Sequence, residues 1–133
     1  MRNLGDAPVP REAISSNAIA PTGGPFSAAV RAGEFVFLSG QVAQLPTTGK
    51  LLAGDASAQT EQIFKNLHAV LSAAGKTLAD VVRVAVHLTD MKDFEQMNAV
   101  YARNFDPPYP ARTTVAVAAL PMGALVEIDL VAR

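Results

Sequence analysis

The segment VVRVAVHLT, residues 81–89, decides the fold. Its residues alternate between two faces, and alternation of β-branched side chains predicts a β-strand. The apolar face holds Val82, Val84, Val86 and Leu88. The opposite face carries Arg83 and His87, so we expect a sheet whose apolar face alone packs against other elements of the chain.

Helical patterns flank this strand. Residues 57–74 carry one apolar helical face, made of Ile63, Phe64, Leu67, Val70, Leu71 and Ala74. Asp55 or Ser57 can cap its start, and Gly75 stands where a helix commonly ends. A second helix is predicted over residues 93–104, with Asp90 as its cap, and the prolines that follow prevent its continuation.

The remaining strands complete an α+β pattern. Alternation predicts strands over residues 34–43, 112–120 and 125–132, with a weak first strand over 13–16. We expect the last two to form a hairpin. The order is β-β-α-β-α-β-β, a mixed sheet with two helices on one face. We interpret residues 1–133 as a single domain, of which 1–13 are a loosely held lead-in.

The sheet face away from the helices is mixed in character. We assign to it Phe35, Phe37, Ser39, Gln41, Arg83, His87, Thr114, Glu127 and Asp129. This face is too apolar in places for solvent and too polar for the core of a monomer. This mixed character predicts that the face forms a subunit interface with hydrated pockets.

Composition excludes several classes of function. The chain has 133 residues, half of them hydrophobic, and no cysteine, which excludes disulfides, thiol catalysis and iron–sulfur clusters. Its 11 basic and 12 acidic residues give a net charge of −1, which does not favour nucleic-acid binding. No apolar stretch is long enough to span a membrane. We expect a soluble protein of the cytoplasm.

Metal chemistry has little support in the sequence. Only two histidines occur, His68 on a predicted helix and His87 on a predicted strand, and their spacing is not that of a helical metal pair. We interpret both as structural and expect no metal and no other cofactor.

Arg112 and Glu127 are the charged residues that most suggest a site. Arg112 is followed on its side of the strand by small residues, which suggests a cavity with a guanidinium at its rim, and arginine suits a carboxylate. Glu127 lies mid-strand, which we interpret as the same polar face. The alternative is that Arg112 is a surface residue or pairs with Glu127 or Asp129. Ser39 gains interest only from Gly40, because a strand glycine often marks a close approach.

Several segments resemble the reactive intermediate deaminases, the Rid/YjgF family. The most specific are PARTTVAV (110–117) and LPMGALVEI (120–128). Supporting segments are GPFSAA (24–29), FLSGQV (37–42), NLHAVL (66–71), AAGKTL (73–78), DMKDF (90–94) and MNAVY (97–101). They occur in order from about residue 14 to the end, and together they make the resemblance strong.

The resemblance implies a chorismate-mutase-like fold and a homotrimer with clefts between subunits. It implies hydrolysis of 2-imino acids or their enamines, released by PLP enzymes, to 2-oxo acids and ammonia, with no cofactor. Arg112 matches the residue that binds the substrate carboxylate, and Glu127 matches the acid that positions water. The other residues expected to contact substrate are Phe26, Ser39, Gly40, Asn98 and Thr114.

Two departures from the family qualify this expectation. Phe26 stands where many deaminases have tyrosine, which removes a hydroxyl from the cleft. Thr114 stands where some members have cysteine, so a thiol cannot regulate this site. An alternative function is a trimer that binds small ligands or proteins without turnover. A third is nucleic-acid processing, because some relatives have been called endoribonucleases, but the charge argues against it.

Overall fold

The structure, a computed structural model, describes residues 10–133 and contains a six-stranded sheet. The strands are β1 (Glu12–Ile14), β2 (Ala29–Ala32), β3 (Phe35–Gln41), β4 (Val81–Leu88), β5 (Ala111–Ala116) and β6 (Val126–Ala132). Their order across the sheet is β1-β2-β3-β6-β4-β5. Only the pairing of β4 with β5 is parallel, so the sheet is mixed, as predicted.

Two α-helices cover one face of this sheet. They are α1 (Ala56–Ala73) and α2 (Phe94–Asn104), and short 3-10 helices span Leu78–Asp80, Met91–Asp93 and Pro121–Gly123. The apolar face predicted for α1 is buried against the apolar faces of β3 and β6. The predicted α+β architecture is confirmed. Within residues 10–133, neither helix combines the length and apolarity needed to cross a membrane.

The ends of α1 follow from its sequence. The Asp55 carboxylate accepts a hydrogen bond from the Ala58 amide at 2.9 Å, which satisfies one of the free amides of the first turn. After the helix, Gly75 adopts a φ of +73°, a conformation that glycine reaches without the steric cost of a Cβ.

The N-terminal region contains one strand more than predicted. β2 carries only one β-branched residue, so its own sequence is a weak strand signal. It forms because it pairs with β1 on one side and β3 on the other. Glu12 and Ala13 belong to β1, so this part of the predicted loose lead-in is wrong. Residues 1–9 lie outside the described residues.

The predicted hairpin between the last two strands is also wrong. β6 lies between β3 and β4, whereas β5 lies at the edge of the sheet beside β4. The intervening segment crosses the end of β4, where Val117 donates to the Leu88 carbonyl at 2.8 Å and Thr89 donates to that of Leu125 at 3.2 Å. Local turn signals cannot distinguish this crossing from a hairpin, because both need a turn between two strands.

A bulge at the start of β4 changes the predicted face of Val82. The pairing with β6 shifts register between Val81 and Arg83. As a result Val81 is only 7% exposed, while Val82 is 43% exposed. An extra residue in one strand locally reverses which side chains face the core. The alternation of apolar and polar residues in the sequence does not reveal where such a bulge occurs.

The sheet face away from the helices, called the open face below, carries exposed aromatic residues. Phe35 and Phe37 are 39% and 43% exposed, and their ring centroids lie 6.4 Å apart. Val115 on β5 is exposed on the same face. The face retains the character that led us to predict a subunit interface, and the homotrimer stays a prediction.

The buried Asn66 side chain supplies a stability test. Its amide nitrogen donates to the Gln44 carbonyl at 3.0 Å and, more weakly, to that of Val42 at 3.4 Å. Asn66→Ala leaves buried carbonyl oxygen without its donor, so we expect a loss of about 1–3 kcal/mol in the free energy of unfolding. Denaturant unfolding measures this, with the exposed Lys65→Ala as control. Equal denaturation midpoints for the two variants would contradict the stabilising role of the Asn66 hydrogen bonds.

Candidate functional site

Arg112 and Thr114 lie on the helix-covered face of the sheet. In the parallel pairing of β5 with β4, Arg112 lies beside Val84 and Thr114 beside Val86. Both valines are fully buried beneath the helices. The prediction that Thr114 and Arg112 share the open face with Glu127 is therefore wrong for a single chain. β5 mixes polar and small residues on both faces, so only its pairing with β4 identifies which face is covered.

The Arg112 guanidinium is held in place by α2. One of its nitrogens, Nη1, donates to the Asn98 Oδ1 at 2.7 Å. Its central carbon lies 4.6 Å from the centroid of the Tyr101 ring and 5.7 Å from that of Phe94. Such cation–π contacts orient the guanidinium plane. Among the described residues Arg112 forms no salt bridge, so the alternative of an ion pair with Glu127 or Asp129 is not realised within the chain.

A cavity of about 360 Å³ opens beside Arg112. It is lined by Asn98, Tyr101, Ala102, Tyr109, Pro110 and Arg112. The Tyr101 hydroxyl is buried and has no hydrogen-bond partner within residues 10–133, and the same holds for the Thr114 hydroxyl. Burial raises the pKa of Tyr101, an effect that Arg112 partly opposes. The cavity therefore combines a fixed cation with a buried phenol, an arrangement suited to a small anion.

Glu127 lies on the open face at the start of β6. On β3, a Cβ at Gly40 would lie only 2.8 Å from the Glu127 Cδ, so the glycine makes room for this carboxyl group. The β3–β6 register shifts between Leu38 and Gln41, around this contact. Burial raises the pKa of Glu127; His87 lowers it and Asp129 raises it further. Glu127 is thus a carboxylate of increased basicity, as a general base requires.

A second cavity, of about 310 Å³, adjoins Glu127. Its lining is largely apolar and includes Phe26, Val42, Met122 and Glu127. Phe26 is 54% exposed, so its ring is free to contact a ligand. The Ser39 hydroxyl donates to the Ser27 carbonyl at 2.6 Å, which ties the loop carrying Phe26 to β3. We therefore interpret Ser39 as holding this loop.

The predicted site residues form two groups. Arg112, Asn98 and Thr114 lie on the helix-covered side of the sheet, and Glu127, Gly40 and Phe26 line the second cavity. Sequence reasoning did not single out Tyr101, which lies three residues after Asn98 on α2. It also missed Met122, whose φ of +62° is unusual for a residue with a side chain and gave no sequence signal.

Comparison with known proteins identifies the family of this fold and site. The family model described as Endoribonuclease L-PSP matches residues 15–133. A RutC family protein of Pyrococcus horikoshii is 46% identical over 119 residues, which cover 90% of this chain and 94% of the relative. The chloroplastic Reactive Intermediate Deaminase A of Arabidopsis thaliana is 40% identical, over 93% of this chain and 66% of the relative.

Solved structures agree with this comparison. The crystal structure of RidA from the Antarctic bacterium Psychrobacter sp. PAMC 21119 superposes with a TM-score of 0.88 at 43% identity. The match covers 92% of this chain and 98% of the other. The α+β fold is thus shared with proteins of known structure. The chain belongs to the endoribonuclease L-PSP family, which includes the RutC and Rid proteins, and the resemblance found in the sequence is confirmed.

The raised pKa of Glu127 predicts how stability depends on pH. Because the folded state holds this proton more tightly than the unfolded state, the contribution of Glu127 to stability falls as pH rises from the unfolded pKa through the folded one. Glu127→Gln lacks this loss. As pH rises from the unfolded to the folded pKa of Glu127, the free energy of unfolding of the variant should therefore increase relative to that of wild type. Above the folded pKa, the difference between the two proteins should be constant. Urea unfolding across the acidic range measures this, and a difference independent of pH would contradict it.

Proposed function

We propose that the chain hydrolyses 2-imino acids, or their enamine tautomers, to 2-oxo acids and ammonia. The observation that carries the proposal is the Arg112 guanidinium, fixed by Asn98 and Tyr101 at a cavity where no carboxylate of residues 10–133 neutralises it. The name of the Arabidopsis relative, a reactive intermediate deaminase, supports the same activity.

Arg112 would bind the substrate carboxylate. A guanidinium can grip a carboxylate through two parallel hydrogen bonds, which fixes both the position and the plane of the substrate. Asn98 already accepts from Nη1, so the contact pre-orients the fork before substrate arrives. A substrate held this way loses little additional freedom when it reacts, and positioning is the main contribution that an electrophilic imine needs.

Glu127 would activate the attacking water. It accepts a proton as the water oxygen bonds to the carbon of the protonated imine, whose carbon–nitrogen double bond becomes a single bond in a neutral carbinolamine. Glu127 then returns the proton to the amino nitrogen, the carbon–nitrogen bond breaks and ammonia leaves, and Glu127 takes the proton of the hydroxyl group as the carbonyl forms and passes it to solvent. The raised pKa of Glu127 suits this exchange of protons. The resulting products are the 2-oxo acid and ammonia.

This mechanism requires two chains. Arg112 and Glu127 project from opposite faces of one sheet and line separate cavities, so a single copy does not join them. We propose that they meet in clefts between subunits of a homotrimer, where the exposed Phe35 and Phe37 of the open face supply apolar contact area. Each cleft would take the arginine of one subunit and the glutamate of its neighbour.

A second candidate function is ligand binding without turnover in the same clefts. Phe26 favours it, because phenylalanine cannot hydrogen-bond to substrate or water. Imine produced by a PLP dehydratase distinguishes the two candidates: the deaminase accelerates imine decay, whereas a binding protein gives saturable 2-oxo acid binding and no acceleration. Endoribonuclease activity has less support, because a net charge of −1 does not favour phosphate contacts.

The role of Arg112 is tested by substitution. Charge-assisted hydrogen bonds contribute roughly 1.5–3 kcal/mol each, so Arg112→Ala should lower kcat/KM on the order of 10²–10⁴-fold. Arg112→Lys should recover little of this, because an ammonium group lacks the planar fork. Light scattering must show the same assembly for all variants. A folded Arg112→Ala protein that keeps more than about a third of wild-type kcat/KM would rule out this role.

The shared cleft is tested by mixing inactive variants. Arg112→Ala and Glu127→Gln subunits, unfolded and refolded together, should recover about a quarter of wild-type activity, because that fraction of interfaces receives one intact residue from each side. The matched control replaces the Glu127→Gln chain with the double variant, which should restore nothing. If both variants form trimers and exchange subunits yet stay inactive, the two residues do not share a cleft.

A further inference from the structure

His87 lies next to Glu127 on the open face of the sheet. In the antiparallel pairing of β4 with β6, His87 is directly opposite Glu127, and Asp129 is diagonal to it on the same face. Directly opposed side chains of neighbouring strands are within interaction distance. His87 is not among the residues that line the cavity at Glu127, so it acts on that carboxyl from the side away from the cavity.

The imidazole has one unsatisfied nitrogen. Nδ1 of His87 is fully buried and has no hydrogen-bond partner among residues 10–133, although Asp129 Oδ2 lies 3.9 Å away. A buried polar nitrogen without a partner is disfavoured, so a small rotation that brings it to the Asp129 carboxylate is favourable. The rest of the ring stays partly exposed, with 28% of the side chain accessible.

We propose that His87 and Asp129 are positioning residues for Glu127: Asp129 holds the imidazole through Nδ1, and the imidazole sets the charge environment in which Glu127 exchanges protons with the attacking water. The inference rests on the proposed function for its chemical meaning. It assigns a role to a histidine that the sequence alone indicated to be structural.

Few other charges face this cluster. On β4, Arg83 shares the open face, but its guanidinium donates to the Thr113 hydroxyl of β5 at 3.1 Å. In the described chain, the β3 residue nearest to Glu127 is Gly40, and neither of its neighbours, Ser39 and Gln41, titrates. Glu127 therefore responds mainly to His87 and Asp129, in agreement with the causes of its pKa shift beyond burial.

The two neighbours should act in opposite directions. His87 favours the ionised form of Glu127. Asp129 disfavours that form. His87→Gln should therefore raise the pKa of Glu127 and move the acidic limb of the kcat/KM profile to higher pH. Asp129→Asn should move both to lower pH when His87 is retained.

The experiment has one readout that needs no substrate. NMR titration of the side-chain carboxyl of Glu127 in ¹³C-glutamate-labelled protein, assigned with Glu127→Gln, gives its titration midpoint in wild type and both variants. We expect shifts of opposite sign, each about one pH unit. Lys50→Gln, a charge change on a loop away from the cluster, is the control and should leave the midpoint unchanged.

The kinetic profile separates this inference from the proposed function. Opposite shifts in both the NMR midpoint and the acidic limb support the inference. If the NMR midpoints shift in opposite directions but the protein does not accelerate imine decay, the role of His87 and Asp129 is supported and the proposed deaminase activity is ruled out. Unchanged midpoints in folded variants of an active enzyme, or shifts of the same sign, overturn the inference and leave the deaminase intact.

Discussion

The antiparallel pairing of β6 with both β3 and β4 is the constraint on which the rest of the molecule depends. It buries the apolar side of β6 beneath the helices, between the two other long strands of the sheet. The same pairing brings Glu127 against Gly40 on one side and His87 on the other. A register slip of one residue would turn the carboxyl group into the core and remove both neighbours at once.

Much of this fold could be predicted from local patterns. The apolar stripe of α1, the alternation in β3 and the prolines after α2 each describe one element and its buried side. The face of Val82, the existence of β2 and the partner of β5 could not be predicted in this way, because each depends on pairing between strands that lie apart in the sequence. Local sequence patterns predict individual helices and strands well, but they predict poorly which strands pair with one another.

The candidate site shows the same division. Arg112 stood out because small residues follow it on its side of the strand, and Glu127 because carboxylates are uncommon inside strands; the family motifs indicated their roles. Which faces they occupy followed only from the pairing of β5 and β6 with β4. The contribution of Tyr101 was hidden, because a residue that packs in the core and also stacks on a guanidinium has the same helical spacing as one that only packs.

The opposite orientation of Arg112 and Glu127 has a genetic consequence under the proposed assembly. A chain that has lost one of the two residues still contributes the other to a neighbour, so two defective alleles expressed together would complement each other. After a gene duplication, the arginine and the glutamate could be divided between two diverging copies. Each copy would then depend on the other, and an obligate hetero-oligomer would evolve without any new interface.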